Sequence, residues 1–266
     1  MNATTLQDAA DCLWSTWQSR QIIDELPAAI RPSSRAQGYA IQSLLERRTT
    51  KPLFGWKIAA TSAAGQKHIG VDRPLAGRLL AERVRADGAA ISLAGNRMRV
   101  AECEFAFRLA RDLGPRPQEY VVAEVMAAVS TLHPSIEIPA SRYRAFEKVG
   151  AAQLIADDAC ADLFILGAAA TCNWRALDLP RLAVTATVEH AGGARQHHHG
   201  LGAEVLGDPR VALAWLVNEL SALGVTLKAG EVITTGTCVT PIAVAPGDEL
   251  DASCGPVGKV SARFSE

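Results

Sequence analysis

Residues 100–107 read VAECEFAF, and the placement of two acids in this run decides what kind of element it is. Val100, Ala101, Cys103, Phe105, Ala106 and Phe107 are what a strand entering a core would carry. On a strand, side chains at i and i+2 share a face, so Glu102 and Glu104 lie side by side while Cys103 points the other way, into the core. Two like charges that close repel and raise at least one pKa unless something positive lies between them. An edge strand with a solvated acidic face is one reading. A pair of ligands in a partly dry site is the other.

Outward from this run the chain keeps the same texture. Short β-like runs, FGWKIAA (54–60), AISLAG (90–95), ADLFILGAA (161–169), LAVTATVEHAG (182–192), EVITTG (231–236) and KVSARF (259–264), alternate with turn residues. Two helices are expected among them, at 119–131 and at 208–223, the second opened by Asp208-Pro209. Before position 52 the pattern is helical. Leu6, Ala9, Ala10, Leu13, Trp14 and Trp17 recur at helical spacing within 5–25, with Thr4 or Thr5 as N-cap, and a second helix is expected over 34–48. Many strands and few helices predict an α+β fold with a mostly antiparallel or mixed sheet. No repeat or low-complexity linker interrupts the chain, so the expected organisation is a helical arm over 1–52 and one catalytic domain over 53–266.

Composition narrows the function classes. The 266 residues are 48% hydrophobic and 21% charged, which is enough for a packed core. Lys plus Arg number 27 against 28 Asp plus Glu, and no basic run exceeds Arg47-Arg48, so nucleic acid is not the expected partner. Neither a signal-peptide pattern nor a long apolar segment is visible, and the expected location is the cytoplasm, away from any membrane. Six scattered cysteines without a C-x-x-C pair read as reduced core residues.

Four further motifs bear on chemistry. In HPSIEIPASRY (133–143), Glu137 sits between two isoleucines. It either joins Glu102 and Glu104 around a hard dication such as Mg²⁺ or Mn²⁺, or pairs with Arg142 or Arg144 in a structural salt bridge. In GWKIAATS (55–62), Lys57 either snorkels to water or is held inside a site, where desolvation lowers its pKa. In TGTCVTPIAVAPGDEL (235–250), the Thr235-Gly236-Thr237 turn offers amides and hydroxyls to a carboxylate, or is simply a glycine turn. The run His197-His198-His199 lacks the spacing of a zinc site and is expected to be a solvated hairpin tip. Phosphate loops, nucleophile elbows and dinucleotide fingerprints are absent.

Together, GWKIAATSAAGQ (55–66), VAECEFAFRLARDL (100–113), PSIEIPASRY (134–143), IADDACADLFILG (155–167) and GEVITTGT (230–237) resemble the hydratase/decarboxylase branch of the fumarylacetoacetate hydrolase family. The resemblance covers nearly the whole chain, and the ordered set of motifs is more specific than any one of them. It implies a mixed β-sandwich-like roll behind an N-terminal helical region. It further implies a divalent metal, Mg²⁺ or Mn²⁺, on Glu102, Glu104 and Glu137, an active-site lysine at Lys57, and substrate contacts at Thr235, Gly236, Thr237 and Gln66.

The chain departs from the family pattern at three places. Leu75 stands where many hydratases have the aspartate of PDFG, Ala140 replaces the aspartate of EIxDSR, and Asp158 replaces the asparagine of ADN. Leu75 thereby becomes a candidate for the substrate wall, and Lys57, without an acid at 75, is expected to stay cationic and act mainly in substrate binding. The implied activity is a metal-dependent hydratase adding water to a short 2-hydroxy-dienoate or 2-oxo-enoate. The alternatives are a 4-oxalocrotonate-type decarboxylase, which needs no activated water, and a non-catalytic partner subunit. A homo-oligomer, able to associate with a pathway enzyme, is the expected assembly.

Overall fold

The computed structural model describes residues 1–266. Its strands form two sheets. The larger runs β2 (Leu75–Leu79), β1 (Gly55–Ala59), β10 (Val232–Thr237), β5 (Val100–Leu109), β6 (Val129–Ile138), β7 (Leu163–Leu166), β3 (Val84–Arg85), with β11 (Ile242–Ala243) added to the start of β5. The smaller runs β4 (Ala90–Ser92), β13 (Lys259–Ser265), β12 (Glu249–Ser253), β8 (Ala183–Glu189), β9 (Arg195–Leu201). β12 and β13 lie against β6, and the apolar faces of both sheets merge into one core that includes Cys103, Phe105, Phe107, Ile136, Val260 and Phe264.

β5 is therefore a central strand, antiparallel to both β10 and β6. This overturns the solvated-edge reading of Glu102 and Glu104: a strand paired on both sides has no open edge. Lys57 on β1 stands in register with Thr234 of β10 and with Gly77 of β2. Glu102 on β5 stands directly opposite Glu137 on β6. Four neighbouring strands thus carry the candidate site.

Six α-helices accompany the sheets. α6 (Pro209–Ala222) starts at Asp208, whose carboxylate accepts from the Arg210 N–H, and packs on β10 and on α4 (Val122–Met126). α3 (Ala63–Ile69) follows β1, and α5 (Ala151–Ala156) packs against α2 (Arg35–Ser43). α1 (Ala3–Ser19) is fastened by Trp17, whose Nε1–H donates to buried Asp162 at 2.8 Å and whose ring carries the guanidinium of Arg142 at 4.5 Å. No helix is long and apolar enough to cross a membrane.

Several local expectations are corrected. The 119–131 helix shrinks to the five residues of α4, because Val129 and Leu132 pair with Leu109 and Phe107 of β5. Apolar residues at ambiguous spacing take the strand when a partner strand is present to pair with them. α1 is capped by Asn2, which accepts from Thr5 N–H at 2.9 Å, not by a threonine, and it ends at Ser19, where Arg20 turns left-handed at φ +55°. Over 34–48 only Arg35–Ser43 is α-helical, and Leu44–Arg48 tightens into a 3-10 helix. The three histidines are not a turn. They lie within β9, paired residue by residue with β8, and the hairpin tip falls instead at Gly192-Gly193, with Gly193 at φ +82°.

Candidate metal and substrate site

The site begins with the register of β5 and β6. Glu102 and Glu104 project from one face of β5, Glu137 comes from the facing strand, and one carboxylate oxygen of each lies within 4.8 Å of the others. Glu104 and Glu137 are fully buried. Burial together with the neighbouring charge of Glu137 pushes Glu102 up to about 7, and burial and both other acids hold Glu104 well above the usual carboxylate range. Burial also raises Glu137, though the Lys57 charge beside it works the other way.

Lys57 answers this charge. Its Nζ pairs with Glu137 Oε1 at 3.0 Å and donates to the Ala159 carbonyl at 3.0 Å. Burial pulls the ammonium down, yet the charges of Glu137 and Glu102 outweigh it and the net pKa is raised. Desolvation alone would lower it, but a lysine buried among anions stays cationic, as expected from the missing acid at 75. Glu137 does not pair with Arg142 or Arg144 either: Arg142 takes Asp157, and Arg144 takes Asp24 at 2.8 Å.

β10 supplies support for Glu104. Its pairing with β5 shifts between Thr234 and Thr237. Within that bulge Gly236 sits at φ +101°, and a Cβ there would fall 2.1 Å from Thr61 Oγ1, so only glycine fits. The Gly236 N–H donates to Glu104 Oε2 at 2.9 Å, and the Thr234 hydroxyl donates to the same oxygen. Thr235 turns away, donating to the Phe105 carbonyl at 3.0 Å, and the Thr237 hydroxyl donates to Val239 O at 2.6 Å. Gln66 donates to Ala60 O at 3.1 Å.

The donor set fits a hard dication. Glu104 Oε1 and Glu137 Oε2 are buried with no hydrogen-bond partner, and three carboxylates face a single ammonium. Such excess buried negative charge is strongly unfavourable unless a cation is shared among the three.

Beside these groups opens a cavity of about 870 Å³. Lys57, Glu102, Leu75, Gly236 and Thr237 all line it, whereas Glu104, Glu137, Thr235 and Gln66 do not. Leu75, fully buried, forms wall in the strand position facing Ala59. Ala140 is buried outside the cavity lining. Sequence reasoning missed His199 and Glu204 in the lining, the Thr234 hydroxyl, and the carbonyl of Ala159. A backbone carbonyl has no sequence signal. His199 had one: strand alternation separates it from His198 and lets the two face different surroundings.

These features define a class. The chain belongs to the fumarylacetoacetate hydrolase C-terminal family, whose domain model matches residues 66–265, and the two-sheet roll with an N-terminal helical region is that family's fold. Within it, the chain is 31% identical to a 2-keto-4-pentenoate hydratase of Paraburkholderia xenovorans over 261 residues, 97% of this chain and 94% of that protein. It is 34% identical to a 2-hydroxyhexa-2,4-dienoate hydratase of Comamonas testosteroni over 225 residues, 84% and 82% of the two chains. In structure it matches the 4-oxalocrotonate decarboxylase of Pseudomonas putida G7 complexed with magnesium and adipate, at TM-score 0.88 and 26% identity, covering 99% and 98%. The same decarboxylase complexed with calcium and acetate gives 0.87.

Proposed function

We propose that this chain is a divalent-metal-dependent hydratase that adds water to a short 2-hydroxy-dienoate or 2-oxo-enoate such as 2-keto-4-pentenoate, within aromatic meta-cleavage catabolism. The observation that carries the reading is the convergence of Glu102, Glu104 and Glu137, with two orphaned oxygens, beside Lys57, where Glu102 and Lys57 open onto one cavity. Relatives named as hydratases support it.

Glu102, Glu104 and Glu137 would hold Mg²⁺ or Mn²⁺. When bound, the dication supplies stabilisation for negative charge that develops on the substrate's 2-oxygen during tautomerisation. Gly236 N–H and the Thr234 hydroxyl fix Glu104 so that its free oxygen keeps one direction. Lys57, held cationic, attracts the substrate carboxylate and keeps a proton at Nζ within reach of the cavity. Leu75, Ile58 and Val100 present apolar wall to the hydrocarbon part of the substrate. Residues 53–266 carry this chemistry and the 1–52 arm braces it. The working enzyme is cytoplasmic, a homo-oligomer, and able to associate with a neighbouring enzyme of its pathway.

The charge of the cavity wall favours a monocarboxylic substrate. Lys57 is the only lysine or arginine lining it, and Glu137 already pairs with that ammonium. A second carboxylate, as in 4-oxalocrotonate, would meet Glu204 with only His68 or His199 to offset it. One observation favours the decarboxylase nonetheless: Leu75 offers no acid beside Lys57 to activate water, and loss of CO₂ requires none.

Purified protein with Mg²⁺, given 2-hydroxypenta-2,4-dienoate and 4-oxalocrotonate in turn, separates the two. Loss of diene absorbance with a 4-hydroxy-2-oxo acid as product is the expected result. CO₂ release without hydration overturns the hydratase reading, and no turnover of either acid overturns both.

A further inference from the structure

The turn after α5 is held against its own sterics. Asp158, Ala159 and Cys160 have φ of +55°, +50° and +63°, and none is glycine. Each such residue is strained and persists only where surrounding contacts over-determine it. All three are buried, and the contacts that hold them lead to Lys57.

The Ala159 carbonyl accepts from Lys57 Nζ at 3.0 Å. Asp158 Oδ1 accepts the backbone N–H of Arg78 at 2.6 Å, which pins the turn to β2. Next to Arg78, a Cβ on Gly77 would lie 2.5 Å from the Asp158 carbonyl oxygen and 3.0 Å from Lys57 Cγ and Cδ. Turn, strand and lysine stem are therefore in direct contact, with no room for a methyl group between them. The ammonium has three N–H groups. Glu137 and Ala159 engage two, and the third is left for the cavity that Lys57, Ala159 and Cys160 all line.

We propose that Asp158 is a positioning residue for Lys57: its carboxyl clamps the left-handed turn to β2, so that the Ala159 carbonyl fixes where the remaining ammonium N–H points. The inference rests on the role given to Lys57 under the proposed hydratase reading. Only one oxygen does the clamping, since Asp158 Oδ2 is buried without a partner. A neutral amide should serve as well, and burial already pushes this carboxyl up to about 7. D158N would also restore the asparagine of the family's ADN pattern.

The test compares wild type, D158A and D158N by steady-state kinetics with Mg²⁺, and by the ¹H–¹⁵N signal of the Lys57 ammonium in lysine-labelled protein, assigned with K57R. D158A is expected to lower kcat by about 10–100-fold with little change in KM, and to shift or broaden the ammonium signal. D158N is expected to keep both near wild type. A wild-type kcat and unshifted signal in D158A, or D158N damaged as much as D158A, overturns the proposal. Should D158A fail to fold, G77A applies the same question from the other side: its methyl must displace the clamp or the lysine stem, and an unmoved signal overturns the proposal. If wild type turns over no dienoate, the hydratase reading falls, while the ammonium signals still decide whether Asp158 positions Lys57.

Discussion

Glu137 and Arg142 lie close together in sequence, and each belongs to a buried ion pair, but the two pairs are built to opposite specifications. Arg142 has every direction filled. It donates to the carboxylate and the carbonyl of Asp157, and to the carbonyls of Ala140 and Ala161 at 2.8 Å each, while its plane lies on Trp17. Asp157 is equally satisfied, taking the Ser141 hydroxyl at 2.7 Å and the Arg142 N–H at 3.1 Å. Around Glu137, one ammonium faces three carboxylates and two oxygens have no donor at all. A pair complete in itself ties the arm to the sheet. A set with surplus charge is a seat for something else.

The largest expected effect attacks the surplus. E104Q or E137Q should weaken Mg²⁺ binding in calorimetry by at least about 100-fold and remove turnover with it, while the metal-free variant melts no lower than wild type because like charges have been relieved. Apoprotein destabilised by E137Q would break the comparison, since it would make Glu137 as structural as Asp157.

Next in size is the complete pair. R142A should cost about 3–5 kcal/mol in denaturant unfolding, because it strands Asp157 in the core without a cation. A loss below about 1 kcal/mol would contradict the structural role.

The pH dependence of the metal-free protein sharpens the same contrast. The folded-state pKa of Glu102 lies near 7, above its ordinary 4.5, so between these values the folded chain binds more protons than the unfolded one. Stability contributed this way is present at low pH and lost as pH rises through that window. Melting temperature should fall from pH 5 to pH 7 without metal, and added Mg²⁺ should flatten or reverse the slope. A flat apoprotein profile would show that the three carboxylates are not crowded. Smallest of all, H197A and H198A on β9 should each change stability by no more than about 0.5 kcal/mol, as partly or fully exposed side chains outside the cavity lining.

Much of this was legible in the chain. Alternation in VAECEFAF marked a strand with both acids on one face, the Asp208-Pro209 start marked α6, and the ordered motifs marked the family. Reading failed where a distant segment decided the outcome. The 119–131 stretch has apolar spacing compatible with a helix, and Val129 became strand only because Leu109 lies beside it. Lys57 stays cationic as expected, but the cause lies in distant segments: burial alone would depress it, and Glu137 and Glu102 beside it outweigh burial.

By itself, the sequence determined which residues could be ligands, because side-chain alternation along one strand is a local property of the backbone. Only the tertiary structure decided that Glu137 faces Glu102 and not an arginine, that Gly236 steadies Glu104, and that Ala159 grips Lys57. Those outcomes depend on which strands become neighbours and in what register, and pairing between segments far apart in the chain leaves no mark on the spacing within either one.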